Sequence, residues 1–308
     1  PEVHLADPAA NARVCGRLLA EAERRNVAAV VFPELCLTGY TCGDLFHQER
    51  LLAAAEQALG KLLRSSRGKR VVAAVGLPLR RAGRLYNCAA IFQGGRLLGV
   101  APKSYLPSYR EFYEDRWFDR GLGLDGTIAV CGESVPFGDR LLFAGDAEFV
   151  LGVELCQDLW QVIPPSCHHA LAGATVLFNL SASNELVGKA EYRRQLVSGQ
   201  SARCQAAYAY ASSGVGESTS DLVFGGHALV AENGLLLAEN QRFAQGNGLL
   251  SADCDIKRLA ALRRSESAFR AECPDADYRL IRLGPLNQIH RLERAISPHP
   301  FIPADSAD

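Results

Sequence analysis

The stretch F-V-L-G-V-E-L-C-Q-D-L-W, residues 149–160, decides the fold. Its first five residues are a β-type run, and Glu154, Leu155 and Cys156 follow directly. Gln157 and Asp158 come next, and an alanine-containing helical pattern begins at Pro165. A thiol at the end of a buried strand stands on rigid scaffold. A sharp turn there would project it into a cleft with the next backbone N–H groups pointing the same way, which is what nucleophilic acyl chemistry requires. A buried structural cysteine is the competing reading, because free cysteine is among the most buried residue types.

Two more apolar runs end in the same manner. Residues 27–32 (V-A-A-V-V-F) lead into Pro33-Glu34, and residues 96–100 lead into Ala101-Pro102-Lys103. Glu34 is either a strand-end acid facing solvent or a partly buried base with a raised pKa. Lys103 is either a snorkelling surface group or a cation that works beside Glu34 and Cys156. Residues 104–117 (S-Y-L-P-S-Y-R-E-F-Y-E-D-R-W) read as a loop or short helix over a site, with Glu111, Glu114 and Asp115 as its solvated face in the simpler reading. Ser181-Ala-Ser-Asn184 closes a strand at 174–179; these residues suit a polar ligand or a plain turn or cap.

Around these runs, strands and helices alternate. Asp7-Pro8 opens a helix to about Arg25. Helices are expected at 45–64, 165–172, 188–204 and 255–269, and strands at 70–77, 206–213 and 249–254. Gln93-Gly94-Gly95 and Asn233-Gly234 mark hairpins, the first between 85–92 and 96–100, the second between 222–230 and 235–239. The pattern is one α/β domain, and its buried strand ends converge on one edge.

The 308 residues are 48% hydrophobic and 22% charged, enough apolar content for a large core. A net charge of −1 without a basic run argues against nucleic acid. No run approaches a membrane span. The 10 cysteines form no CxxC pair, which argues against a zinc site and for reduced thiols in a cytoplasmic protein. The chain begins at Pro1 and holds no methionine, so an incomplete chain starting inside an element is expected.

The runs also resemble a known family. F-P-E-L-C-L-T-G-Y (32–40), P-K-S-Y-L-P (102–107) and V-E-L-C-Q-D-L-W (153–160) are similar to the three signatures of the nitrilase, or carbon–nitrogen hydrolase, superfamily. The resemblance implies a four-layer α-β-β-α sandwich and a catalytic set of Glu, Lys and Cys. Y-R-E-F-Y-E (109–114), L-A-G-A-T-V-L-F-N-L-S-A-S (171–183), S-A-R-C (201–204), G-E-S-T-S-D-L-V-F (216–224), A-E-N-G (231–234) and P-F-I-P-A-D (300–305) resemble, more narrowly, the glutaminase domain of glutamine-dependent NAD synthetases.

That resemblance implies Cys156 as a nucleophile forming a γ-glutamyl thioester, Glu34 as general base, and Lys103 with the Gln157 backbone N–H as oxyanion donors. It implies Glu114 as a further acid holding the set, and Tyr109, Ser183 and Lys189 as contacts to the α-carboxylate or amine of L-glutamine. Gln157 departs from the commoner Cys-Glu-Asp, and Lys189 stands where Arg also occurs, a monodentate grip in place of a bidentate one. The first strand of the fold reads as incomplete at Pro1. The implied layout is a glutaminase domain over 1–290 and a linker over 291–308 toward a C-terminal synthetase domain. No cofactor or metal is expected in the first domain; ATP, Mg and deamido-NAD belong to the second. Its Ser-Gly-Gly-x-Asp-Ser loop does not occur here. A homo-oligomer is the implied assembly. Two other readings stay open: a stand-alone amidase acting on another amide, and a catalytically silent assembly module.

Overall fold

The computed structural model describes residues 1–146, 148–267, 269, 277–289 and 292–295. Helix α1 (Pro8–Arg24) starts as its sequence predicts: the Asp7 carboxylate accepts from the Ala10 N–H at 3.0 Å, and Pro8 occupies a position where no N–H is needed. Helix α2 (Glu49–Ser65) pairs with it. Both cover one face of a four-stranded sheet, β1 (Ala29–Val31), β2 (Val72–Arg81), β3 (Arg84–Gln93) and β4 (Arg96–Pro102), in that spatial order. β1 runs parallel to β2, and the other pairs are antiparallel.

Alternation along β2 makes the layers. Ala73 and Val75 join Leu18 of α1 and Leu59 and Leu62 of α2 in an outer core. Val72 and Ala74 face the other way and meet Leu151, Val153 and Phe178 of a second sheet. That sheet has seven strands in the order β12-β11-β10-β9-β8-β7-β13. They are β7 (Leu141–Ala144), β8 (Val150–Leu155), β9 (Val176–Ser181), β10 (Ala207–Ser212), β11 (Ala228–Glu232), β12 (Leu235–Glu239) and β13 (Arg279–Arg282). Its far face packs Leu177, Tyr208 and Leu229 against Ala170 of α3 (Pro165–Leu171) and Val197 of α4 (Lys189–Arg203). The result is the α-β-β-α sandwich. A two-stranded ribbon, β5 (Thr127–Val130) and β6 (Glu133–Pro136), forms its own ladder and packs Ile128, Val130 and Val135 into the core under the four-stranded sheet.

Four elements differ from the sequence expectations. β1 has three residues, not six. The expected strand at 249–254 forms no ladder, although helix α5 (Ile256–Ser265) follows it as expected, capped by Asp255. β11 begins only at Ala228, after the Gly225-Gly226 pair. β13 was not anticipated: R-L-I-R is short, its two adjacent apolar residues fit no alternation, and the strand is largely exposed at the end of the sheet. Residues 296–308 lie outside the described residues, and with them the 300–305 motif and most of the expected linker. No helix among the described residues is long and apolar enough to cross a membrane.

Candidate active site

Glu34, Lys103 and Cys156 each stand just beyond the C-terminal end of a strand: β1, β4 and β8. The Glu34 turn is tight. Leu35 has φ +49°, and a Cβ built on Gly76 of β2 would lie 2.2 Å from the Leu35 nitrogen, so only glycine leaves room for this turn. Glu34 also ties the sheets together, its N–H donating to the Ser181 carbonyl at 3.2 Å. Lys103 is fixed by its own N–H, which donates to the Asn87 carbonyl at 2.8 Å.

Cys156 sits at φ +39°, the left-handed region that a non-glycine residue enters only when its surroundings force it. Asp158 is the device that holds this turn. Its carboxylate accepts from the Leu155 N–H at 2.9 Å and from the Tyr105 N–H at 2.9 Å, with Ser104 N–H at 3.5 Å. One buried carboxylate thus joins the cysteine turn to the segment after Lys103.

At the centre, the Lys103 ammonium donates to Glu34 Oε1 at 2.6 Å and to Glu114 Oε1 at 2.7 Å. All three side chains are buried. Asn87 Nδ2 donates to the same Glu34 oxygen at 2.7 Å, and the Tyr40 hydroxyl donates to the same Glu114 oxygen at 2.7 Å. The second oxygens, Glu34 Oε2 and Glu114 Oε2, accept nothing from the described protein. Burial alone would lower the lysine's pKa, but the two carboxylates outweigh it and hold the ammonium charged, above its ordinary value. Burial, with Glu34 adding to it, pushes Glu114 up to about 7 against the pull of Lys103. Burial also pushes the Cys156 thiol up to about 12; Glu34 and Glu114 add to this and Lys103 opposes it. The resting site therefore holds a thiol beside an ion-paired carboxylate, and the thiolate forms only on proton transfer. Glu114 is part of this cluster and not a solvated face of its loop; Asp115 is exposed.

The other predicted residues frame this centre unevenly. Tyr109, half-exposed, donates its hydroxyl to Gln157 Oε1 at 3.0 Å. Ser183 is buried and already engaged: its N–H donates to Ser212 Oγ at 3.0 Å, and its Oγ accepts from Arg193 at 3.3 Å. Lys189 donates to Asn184 Oδ1 and lies 5.3 Å from the Trp160 ring centre. Asn184 in turn donates to Glu111 at 2.5 Å. Burial lowers the Lys189 pKa, and the Cys156 sulfur is among the groups that counter it.

Residues 3–264 match the model of the carbon–nitrogen hydrolase family. The chain belongs to the carbon–nitrogen hydrolase family. It is 44% identical, over 98% of its length, to the glutamine-dependent NAD(+) synthetase of Mycobacterium tuberculosis, of which it covers 46%. The human enzyme of the same name is 27% identical over 90% of this chain and is 39% covered. The chain thus spans about half the length of the curated relatives it matches. Among solved structures, a glutamine-dependent NAD(+) synthetase from Cytophaga hutchinsonii superposes with a TM-score of 0.73 at 30% identity, covering 81% of this chain and 41% of that one. A carbon–nitrogen hydrolase from Helicobacter pylori, 20% identical, shares the fold with a TM-score of 0.69 over 88% of this chain and 92% of its own.

Several residues of this carbon–nitrogen hydrolase site escape a reading of the sequence. Asn87 is a polar residue inside the apolar run of β3, and that break in pattern is its one signal. Tyr40 and Asp158 lie within the motifs, but nothing in their spacing names their partners. Glu217 likewise lies within the 216–224 motif without a named partner: its carboxylate accepts from Tyr40 N–H at 2.8 Å, Thr41 N–H at 2.9 Å and Thr41 Oγ1 at 2.6 Å, fastening a distant loop to the turn that carries Tyr40.

Proposed function

We propose that the chain is the glutamine amidohydrolase domain of a glutamine-dependent NAD synthetase. The observation that carries this is the buried Lys103 ammonium bridging Glu34 and Glu114 beside the Cys156 turn, in a chain 44% identical to enzymes of that name. In this reading Glu34 takes the Cys156 proton through its uncommitted oxygen as the sulfur attacks the side-chain amide carbon of L-glutamine. The carbonyl oxygen becomes an oxyanion, met by Lys103 and the Gln157 backbone N–H. Collapse returns the proton from Glu34 to the nitrogen, expels ammonia and leaves a γ-glutamyl thioester. Glu34 then takes a proton from water as it attacks the thioester, and returns that proton to the sulfur as the intermediate collapses to glutamate and the thiol. Glu114 and Tyr40 keep Lys103 in place through both halves.

Tyr109, Ser183 and Lys189 supply the polar side of the glutamine pocket. Lys189 meets the α-carboxylate, and Asn184 and Glu111 reach the amine. The ammonia serves amidation of deamido-NAD in a C-terminal domain that binds ATP and Mg. The boundary falls near residue 290, with 291–308 leading to that domain, in a homo-oligomer of the cytoplasm. The test is ammonia release from glutamine, together with intact mass after treatment with a diazo-ketone analogue of glutamine. A single adduct on the unmodified chain, blocked by glutamine and absent from Cys156→Ala, supports the reading. Turnover of short aliphatic amides without glutamine turnover would assign another amide substrate and overturn it.

A further inference from the structure

Arg193 carries an ionised group into the interior away from the nucleophile. It lies on α4, where residues 190, 193, 197, 200 and 201 form the buried stripe. A guanidinium thus occupies a position that helical spacing assigns to the core. Such a charge is costly to bury unless partners meet it, and its partners are closely grouped. Nη1 donates to Glu185 Oε1 at 2.9 Å and to His227 Nδ1 at 2.8 Å. Nη2 donates to the Asn184 carbonyl at 3.1 Å and to Ser183 Oγ at 3.3 Å. A guanidinium has no acceptor. His227 Nδ1 is therefore the unprotonated nitrogen, and its Nε2–H donates to Glu239 Oε1 at 2.8 Å. That ring is neutral, in keeping with a pKa lowered by burial.

These bonds hold one segment. Residues 182–188 join β9 to α4, and no side chain caps the junction: Gly188 stands at the N-cap with φ +79°. Arg193 secures it from inside the helix, because helical side chains lean toward the N-terminus. It grips three consecutive residues, Ser183, Asn184 and Glu185. Glu185 is fastened from the other side as well. Its Oε2 accepts from Arg242 at 3.0 Å, and its N–H donates to the Val223 carbonyl at 2.7 Å. Ser183, Asn184 and Lys189, the groups given above to the polar end of glutamine, ride on this segment or adjoin it. Asn184 accepts from Lys189 and donates to Glu111. None of the four bonds from Arg193 reaches β1, β4 or β8, whose ends carry Glu34, Lys103 and Cys156.

We infer that Arg193 is a positioning residue for substrate recognition. With Glu185 and neutral His227 it fixes residues 183–185 so that Ser183, Asn184 and Lys189 meet the amino-acid end of the substrate, and it has no part in the acyl chemistry. The inference rests on the glutamine reading of the pocket. A segment already in place need not be ordered when substrate binds, so loosening it raises KM and leaves kcat alone. The arrangement needs a fork and not merely a charge. Lysine would keep a cation beside Glu185, but the donors of one nitrogen do not span acceptors that face two guanidinium nitrogens.

Arg193→Lys tests this, because it leaves Glu185 with a cation and keeps the interior charge balanced. The expected result is a KM for glutamine about tenfold higher, the scale of one lost charge-assisted hydrogen bond, with kcat unchanged. Labelling of Cys156 by the diazo-ketone analogue of glutamine slows to match at low reagent concentration. Alkylation of Cys156 by iodoacetamide, which lacks the amino-acid end, keeps its unmodified rate, read by peptide mass. An unchanged KM means that charge alone suffices and overturns the inference. A fall in kcat, or slower iodoacetamide alkylation, also overturns it, since the nucleophile itself has then moved. Should Arg193→Lys fail to fold, Glu185→Gln is read in the same way: its amide oxygen still accepts from Arg193, but without the charge that strengthens the bond. The two levels of failure are distinct. An unmodified chain that gives no glutamine-blocked adduct overturns the glutamine reading and this inference with it, whereas a blocked adduct with an unchanged KM in the variant overturns this inference alone.

Discussion

Lys103 keeps its charge at the centre of the site because two carboxylates reach it, and this decides which substitutions are informative. Removing the ammonium, as in Lys103→Met, strands Glu34 and Glu114 in the interior and should cost about 3–5 kcal/mol of stability, so lost activity there says little about chemistry. Glu34→Gln is the cleaner probe. The amide oxygen still accepts from Lys103 and Asn87, but the group no longer takes a proton. The expected outcome is a fall in kcat of about 10²–10⁴ with KM for glutamine little changed, read by steady-state ammonia release. Tyr40→Phe removes one of the two hydrogen bonds to Glu114 Oε1 and should cost about 1.5–3 kcal/mol in urea unfolding, the larger loss falling where Glu114 is ionised. Glu34, Lys103 and Cys156 are legible in the sequence because each breaks an apolar run at its end. Tyr40 and Asn87 are not, because their partners lie 74 and 53 residues away and the bonds exist only once the strands are stacked.

Strand ends work as mounts only if the turns after them are held, and Gly76 and Asp158 hold two of them through backbone contacts. Gly76 of β2 lies under the turn of Glu34. Gly76→Ala places a methyl against backbone that has no slack, so an overpacking cost of about 1–3 kcal/mol is expected, together with a drop in kcat as the Glu34 turn moves. Asp158→Asn replaces one acceptor oxygen by an NH₂ facing backbone donors of residues 104–105 or 155. An unsatisfied buried donor costs about 1–3 kcal/mol, and a displaced Cys156 turn should lower kcat on the order of tenfold to a hundredfold. Differential scanning calorimetry and ammonia release on the same samples separate the two effects. Most elements are legible because periodicity and caps agree with burial, as at Asp7-Pro8 and in the β3–β4 hairpin. Residues 249–254 show the limit: their pattern specifies a strand, but a strand exists only where a neighbour accepts its backbone bonds.

At the scale of the whole molecule, the convergence of three strand ends comes from topology: alternating strands and helices predict that buried strand ends share one edge, and the stacked sheets bring these three together. Stacking the sheets face to face buries the acids with the lysine, and that burial has a consequence for stability against pH. Glu114 is pushed up to about 7 from an ordinary value of 4.5. Between these values the unfolded chain has released this proton while the folded chain keeps it on the carboxyl. Folding takes up a proton there, so the contribution of Glu114 to stability is complete below pH 4.5 and lost as pH rises through about 7. Lys103, held above its ordinary value, stays charged across this window and adds no slope. His169, lowered to about 4 by burial, gives a slope of the opposite sign below its ordinary value of 6.5, and Asp158, pushed up from 3.8 to about 8 by burial, gives one of the same sign as Glu114, so the raw stability curve mixes these groups. Glu114→Gln isolates the carboxyl, because it is neutral at every pH and leaves His169 untouched. The unfolding free energy of the unmodified chain minus that of Glu114→Gln should fall by up to about 1.4 kcal/mol per pH unit between pH 4.5 and 7 and be flat above 8. Urea unfolding from pH 4 to 9 measures it. A difference that is flat across this window and rises with pH only below 4.5 would mean that Lys103 keeps Glu114 ionised in the folded chain, and that the pair, not burial, sets its charge.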